Sequence, residues 1–544
     1  MAGMNRRASG MNGIVKGELT RKIVGLLLTA FLFSLYCTFP YIGAVSMRQV
    51  LIRFGCYLAI SIVVCLAVYK GARFILPKIH CRKIEAVLYD KWSGRGYVLI
   101  VWGILIVGWI PAYLAFFPGI FGYDAPNQME QILSGQYTAH HPLLHTLILR
   151  AFLNCGKAVF GTYNGGVALF CICQGLVLSG SIAYSFLIMR EMKIPFPILG
   201  ISLVWCIWSP VLQVLAFNTT KDILFGALFL HFVLSCYQWL VRGEKRTKLQ
   251  MLWLIVSGIL MCLLRNQGIY IIVVLLAISV LVCWKDRNFL ISLCVIMIGS
   301  QSFFWVTNHV FGVQKGDVRE MLSVPMQQTA LVCKLYMEGE TVQLSPEEFE
   351  KFCLLVDKEH IPDLHLSTVD PIKMYFNTAV LKQDIPGYIS LYLTVGLHNM
   401  GHYLTAFRCL AYPYWDMSEM VARDISIMNT FPELSESWGI YQDSLLPGYQ
   451  EYLSGYILYG MDEKIPVLSW FLQPGLCIWI MTALIGMAIA GKNKAAFLAA
   501  LTGMLFMGTL LLGPIALLRY IYPLMILAPW FLAVLCGEVL KASH

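Results

Sequence analysis

Long apolar runs, each closed by a short polar or basic stretch, repeat along nearly the whole chain. They lie near 23–45, 51–69, 97–116, 165–188, 195–214, 223–241, 250–264, 268–284, 288–309, 466–490, 495–515 and 519–540. Most approach the ~20 residues a helix needs to cross ~30 Å of hydrocarbon. A membrane barrel would instead show ~10-residue segments alternating apolar and polar. The pattern predicts an all-α polytopic membrane protein with about twelve transmembrane helices, outer interfacial helices and a large external region.

Composition agrees and excludes a soluble globular chain: of 544 residues 58% are hydrophobic and 13% charged, and mean hydropathy is +0.68. The net charge of +9 comes largely from short basic clusters between apolar runs. It therefore reports topology and contact with anionic lipid, and no basic stripe with interleaved aromatics points to nucleic acid. The 17 cysteines lie mostly singly within apolar runs, where cysteine acts as a small hydrophobe. The first run follows Arg6, Arg7, Lys16, Arg21 and Lys22 but is too long for a signal-peptide core, so a retained helix is expected.

Because lysine and arginine are retained on the cytoplasmic side, the basic clusters fix a threading. A cytoplasmic amino terminus and a first hairpin return the chain to Lys70, Arg73, Lys78, Arg82 and Lys83, and the next span delivers Phe117–Gln128 to the outside. The stretch 142–160 poses a fork. Counted as a span, it would put Arg190, Lys193, Arg242, Lys245, Arg246 and Lys248 outside. Laid on the outer interface as an amphipathic helix, it leaves them all inside. The expected organisation is then a hairpin and basic loop over 1–96, and a core over 97–309 with its first external loop at 117–164. An external region follows over 310–464, with 389–410 half-buried or re-entrant, and the last helices occupy 465–544.

Charges beside hydrocarbon are costly, so those at the outer ends of spans ask for a function. Asp124, in Gly122-Tyr-Asp-Ala-Pro-Asn-Gln128, sits in a turn where partial burial could raise its pKa toward that of a general base; it could equally cap a helix beginning near Pro126. His140, His141 and His145 could orient an acceptor or hold a divalent metal, magnesium or manganese, or simply be interfacial histidines. In Asn218-Thr-Thr-Lys-Asp222, Asp222 could face Asp124 with Lys221 on a phosphate, or Lys221 could pair with Asp222 beside a helix cap. Arg265 and Arg519 run against the positive-inside trend, and a forked donor suits phosphate. Glu320, Gln327 and Gln328 mix a carboxylate with amides, as a sugar site would.

Asp124 in the first large external loop, His141-Pro142 opening an interfacial helix that ends at Phe160-Gly161, and Arg519-Tyr520-Ile-Tyr-Pro523 together resemble the GT-C superfamily of membrane glycosyltransferases. That group includes protein O-mannosyltransferases and bacterial aminoarabinose transferases. Thr220-Lys-Asp222, Arg265-Asn-Gln-Gly268 and Pro325-Met-Gln-Gln328 further resemble a poorly characterised branch found in Gram-positive bacteria. The resemblance covers most of 97–540. It implies transfer, with inversion, from a polyprenyl-phosphate sugar to an envelope glycan, glycolipid or protein at the outer face of the bacterial plasma membrane. Asp124 would be the base, Asp222 a second acid, and Lys221, Arg265 and Arg519 would neutralise the phosphate. Tyr123, Asn127, Gln128, His140, His141, His145, Glu320, Gln327, Gln328 and Tyr520 would line the substrate. Two departures stand out: no second acidic residue follows Asp124, and an extra hairpin precedes the usual first span. A transporter or flippase of a lipid-linked or anionic substrate, and a polysaccharide polymerase or ligase, are the other readings. Polar residues gathered at one face, not at mid-membrane, argue against transport.

Overall fold

The computed structural model describes residues 2–79, 94–417, 425–459 and 473–541; Arg82 and Lys83 of the expected basic loop lie outside them. The described residues are helical throughout, with only isolated β-bridges between loops.

Helices α1 (Ala2–Thr38) and α2 (Met47–Ile75) form a hairpin, and α3 (Gly94–Ala115) follows. After the short α4 (Ala125–Ser134) and α5 (Leu143–Phe160), α6 (Tyr163–Glu191) runs back antiparallel to α3. At one end of this pair the Arg190 guanidinium lies over Tyr97, midway Trp102 Nε1 donates to Ser179 at 3.0 Å, and at the other end Gly119 packs directly on Cys171.

This antiparallel pair bears on the fork at 142–160. By length and apolarity α5 qualifies as a span. Yet α3 ends and α6 begins at the same end of the bundle, with α5 between them in the chain. Helix α5 instead leans on the first turns of α6: His145 and Phe152 pack edge-on against Phe170, and a Cβ on Gly156 would collide with the Gly166 backbone.

The next apolar stretch is broken, α7 (Phe196–Trp208) meeting α8 (Pro210–Ala216) at 53°, because Pro210 cannot continue the hydrogen-bond ladder. Helix α9 (Lys221–Arg242), largely enclosed by its neighbours, packs on α6 and α10 (Lys248–Leu264). Helices α11 (Gly268–Cys283) and α12 (Arg287–Phe311) close this half. By length and composition eight described helices could cross a membrane, α5 among them, or nine with the bent pair; α10, α11 and two later helices are shorter apolar segments.

Residues 318–411 build a second, smaller core around α13 (Ser323–Met337), whose Met326, Ala330 and Val332 are fully buried against Phe352, Ile361 and Ile372. Four helices join it: α14 (Pro346–Cys353), α15 (Asp370–Met374), α16 (Thr378–Gln383), and α17 (Ile385–His398), which breaks at Asn399 into α18 (Met400–Ala411). The stretch expected to be half-buried or re-entrant is thus a bent pair with one face on α13. Arg408 reaches the α1–α2 turn, donating to Pro40 O at 2.6 Å. Helices α19 (Pro432–Ser437) and α20 (Pro447–Tyr459) precede the final α21 (Pro474–Ala490), α22 (Lys494–Leu510) and α23 (Leu518–Lys541).

The two ends of the bundle differ in charge. At one, basic residues pair locally: Arg246 with Asp286 at 2.6 Å, Arg242 with Glu191 at 3.5 Å, Lys541 with Glu538 at 3.0 Å. At the other end stand Asp124, Lys221, Asp222, Arg265 and Arg519.

Candidate active site

Three loops sewn edge to edge form the floor of this end. Ile120 N donates to Phe217 O and Thr219 N to Ile120 O, both at 2.9 Å, a one-residue parallel bridge. Gln174 of α6 secures one strand of it, donating to Ala216 O and Asn218 O at 3.0 and 2.8 Å. The third loop enters from far along the chain, with Phe121 N donating to Asn429 Oδ1 at 2.9 Å and Thr430 N to Phe121 O at 3.0 Å.

Tyr123 sits in the left-handed region at φ 57°, a conformation costing a non-glycine residue about 1–2 kcal/mol. Its surroundings hold it there: Tyr123 N donates to Thr430 Oγ1 at 2.6 Å, and Tyr123 OH accepts from Ser426 N at 2.8 Å. Strain sustained by three separate loops is the kind found where a side chain must be aimed. The next residue is Asp124.

Asp124 occupies the first position before α4 but makes no capping bond with its side chain, so the helix-cap alternative fails. Its Oδ2 instead accepts from Lys221 Nζ, with His141 Nδ1 3.6 Å away. Lys221 is placed by the start of α9, where the Thr220 hydroxyl accepts from Asp222 N. Burial pushes the Asp124 carboxyl up, but Lys221, then His141 and Arg519, outweigh it and hold the group well below the ordinary carboxylate range. The expected rise toward a general base is therefore corrected: burial acts in that direction, and the cations reverse it. Burial lowers His141 to about 4, against a partial rise from Asp124, so its ring is neutral near pH 7.

Asp222 does not share this pair. It is 1% exposed and accepts from Arg265 Nη1 at 2.7 Å. Arg265 also donates to Gln267 Oε1 at 2.9 Å, and its guanidinium lies 5.3–5.5 Å from the Phe225, Phe506 and Tyr520 rings. The alternative pairing of Lys221 with Asp222 is likewise replaced, by two neighbouring pairs. Arg519 stands between them and differs from both. It stacks over Tyr123 at 4.1 Å and Tyr520 at 4.8 Å, and Nη2 donates to Tyr520 OH at 3.2 Å. Its Nε and Nη1 are buried without a hydrogen-bond partner among the described residues. A buried guanidinium short of acceptors is costly unless an anion completes it.

The other expected residues distribute as follows. Gln128 and His145 lock α4 to α5, Gln128 Nε2 lying 3.0 Å from His145 Nδ1 and donating to Thr146 at 2.9 Å. Asn127 is exposed on α4, and the exposed His140 ring stands 4.6 Å from His141. Glu320, Gln327 and Gln328 are engaged within the second core, through Lys373 at 2.6 Å, His365 O at 2.6 Å and Tyr403 O at 3.1 Å. Among the described residues no group of three or more His, Cys, Asp or Glu side chains converges as a metal site would require. Thr430, Ser426, Asn429 and Gln174 escaped the reading of the sequence; being ordinary polar residues distant along the chain, they carry no local mark.

Fold and site together define a helical membrane protein whose unpaired cation and cation-bound carboxylate share one end of the bundle. The chain belongs to DUF6020, a family of unknown function, which matches residues 133–543. No curated protein matches it. Among solved structures it is similar to ArnT from Cupriavidus metallidurans bound to undecaprenyl phosphate, at 13% identity and a TM-score of 0.31 over 83% of this chain and 79% of that one. It is also similar to the apo state of that protein, at 12% identity and 0.31 over 82% and 78%.

Proposed function

We propose that this protein is a GT-C-type glycosyltransferase of the bacterial plasma membrane. It moves a sugar from a polyprenyl-phosphate donor to an acceptor hydroxyl at the outer face. This reading counts the four shorter apolar helices as spans and sets α5 on the surface, which gives twelve passes with the basic end in the cytoplasm. The observation that carries it is Arg519: two buried N–H groups without an acceptor among the described residues, beside an ionised Asp124, form a half-built anion site.

In the reaction the acceptor oxygen attacks the anomeric carbon from the face opposite the phosphate. The bond from that carbon to the phosphate oxygen breaks, and its electron pair leaves with the phosphate. Arg519 takes the growing negative charge, stabilising the transition state more than the ground state. Lys221 exchanges its hold on Asp124 for the phosphate, and the carboxylate so released becomes basic enough to accept the acceptor's proton. The Asp222–Arg265 pair, already satisfied internally, keeps the Tyr520 ring under both guanidiniums.

Asp124→Asn is expected to keep expression, to lower the melting temperature only by the loss of the Lys221 pair, and to abolish transfer from polyprenyl-phosphate sugars in membranes. Near-normal transfer by that variant would remove the assignment. The donor is named by mass spectrometry of lipid-linked intermediates in a deletion strain, where one polyprenyl-phosphate sugar should accumulate.

A further inference from the structure

The break between α7 and α8 opens a cavity of about 580 Å³ against α20. Trp205 and Trp208 form one wall and Tyr449, Tyr452 and Tyr456 the other, with Leu453 at its buried side. A broken helix normally offers unpaired backbone groups, yet here they are met from within. Gln213 Nε2 donates to Ile207 O at 2.6 Å, and Gln213 Oε1 accepts from Tyr449 OH at 2.8 Å. The walls are therefore mostly aromatic and aliphatic, with a few indole N–H and hydroxyl groups and no charged side chain, which suits a hydrocarbon chain better than a charged headgroup. Trp208, 74% exposed, and Tyr452, 52% exposed, stand at its open side.

The cavity is tied to the site by the chain itself. Helix α8 has seven residues, about 10 Å of rise, and runs from the cavity at Pro210 to Ala216, one residue before the loop that carries Lys221. Tyr522, three residues beyond Arg519, braces the same helix through Leu212 O at 3.4 Å. The cavity and the start of the helix that carries Lys221 thus lie at the two ends of one short helix. Resting on the donor reading above, we infer that this aromatic groove holds the polyprenyl tail of the donor and sets the preference for long chains. Bulk phospholipids carry their phosphate as a diester beyond a glycerol, whereas a polyprenyl phosphate joins it directly to the hydrocarbon.

The test measures binding of two labelled lipids, a long-chain polyprenyl phosphate and farnesyl phosphate, to the purified full-length protein in detergent. The wild type should prefer the long chain. The pair Trp208→Ala with Tyr452→Ala, both on exposed side chains, should cut that preference about tenfold, weakening the long-chain lipid far more than farnesyl phosphate. Leu453→Trp, which fills the cavity from its buried wall, should act alike. If both variants keep the full preference, the groove is not the tail site, while the donor reading stands. If the wild type binds neither lipid and Arg519→Met changes nothing, the donor reading itself falls and takes the groove with it.

Discussion

Arg265 donates to Asp222 at 2.7 Å inside a cage of aromatic rings, while Arg519, stacked on the same Tyr520 ring, keeps two buried N–H groups without acceptors among the described residues. Two arginines of one type at one end of the bundle are thus set to different tasks by their partners. The satisfied one braces the site and the unsatisfied one awaits an anion.

Removing the brace should unfold the protein more readily. Arg265→Met leaves a carboxylate buried and alone, which costs about 3–5 kcal/mol. Adding Asp222→Asn should recover part of the loss. The check is the melting temperature in detergent; a value for Arg265→Met equal to wild type would contradict the role.

Arg519→Met should act mainly on binding. Losing its stacking on Tyr123 and Tyr520 and its attraction to Asp124 lowers the melting temperature modestly, while binding of polyprenyl phosphate weakens at least about tenfold. Arg519→Lys, a point charge without the fork, should restore binding only in part. Equal lipid binding by all three proteins would sink the anion site.

Acid should act through His141 before it acts through Asp124. His141 titrates near 4 in the fold against 6.5 ordinarily, so between about pH 6.5 and 4 the unfolded chain takes the proton first and stability falls as pH falls. Asp124 works the other way: its lowered pKa stabilises the fold above the ordinary carboxylate range, and that contribution is lost only at still lower pH. His141→Asn should therefore lose less stability than wild type on going from about pH 7 to 5, read as melting temperature against pH. Parallel curves for the two proteins would contradict this.

Topology is open to labelling. Cysteines placed at the exposed Asn127 and Lys245, in a background without other reactive cysteines, should label from opposite sides of the membrane. Labelling from one side would place a membrane pass between α3 and α6.

The contact of α5 with α6 depends on bare backbone. Gly156→Leu would drive a side chain into the Gly166 backbone, and such overpacking costs about 1–3 kcal/mol or more. Melting should fall, and Gln128–His145 packing should loosen enough to expose Cys155 further to thiol reagents. An unchanged melting temperature would show that α5 can move aside.

The helical membrane bundle was legible in the chain, because apolar length and the side on which lysine and arginine gather are local properties, summed over a segment. The same charges favour 142–160 on the surface, and the antiparallel run of α3 and α6 is consistent with that placement. Partnership was another matter. Asp124 and Lys221 stand 97 residues apart, Asp222 and Arg265 43, Tyr123 and Thr430 307, and no spacing rule connects such positions. A carboxylate's basicity is set by charges within a few ångströms, so only tertiary packing could decide that Asp124 is bound by lysine and kept acidic. The sequence supplied the charged residues; folding chose which of them would remain unpaired.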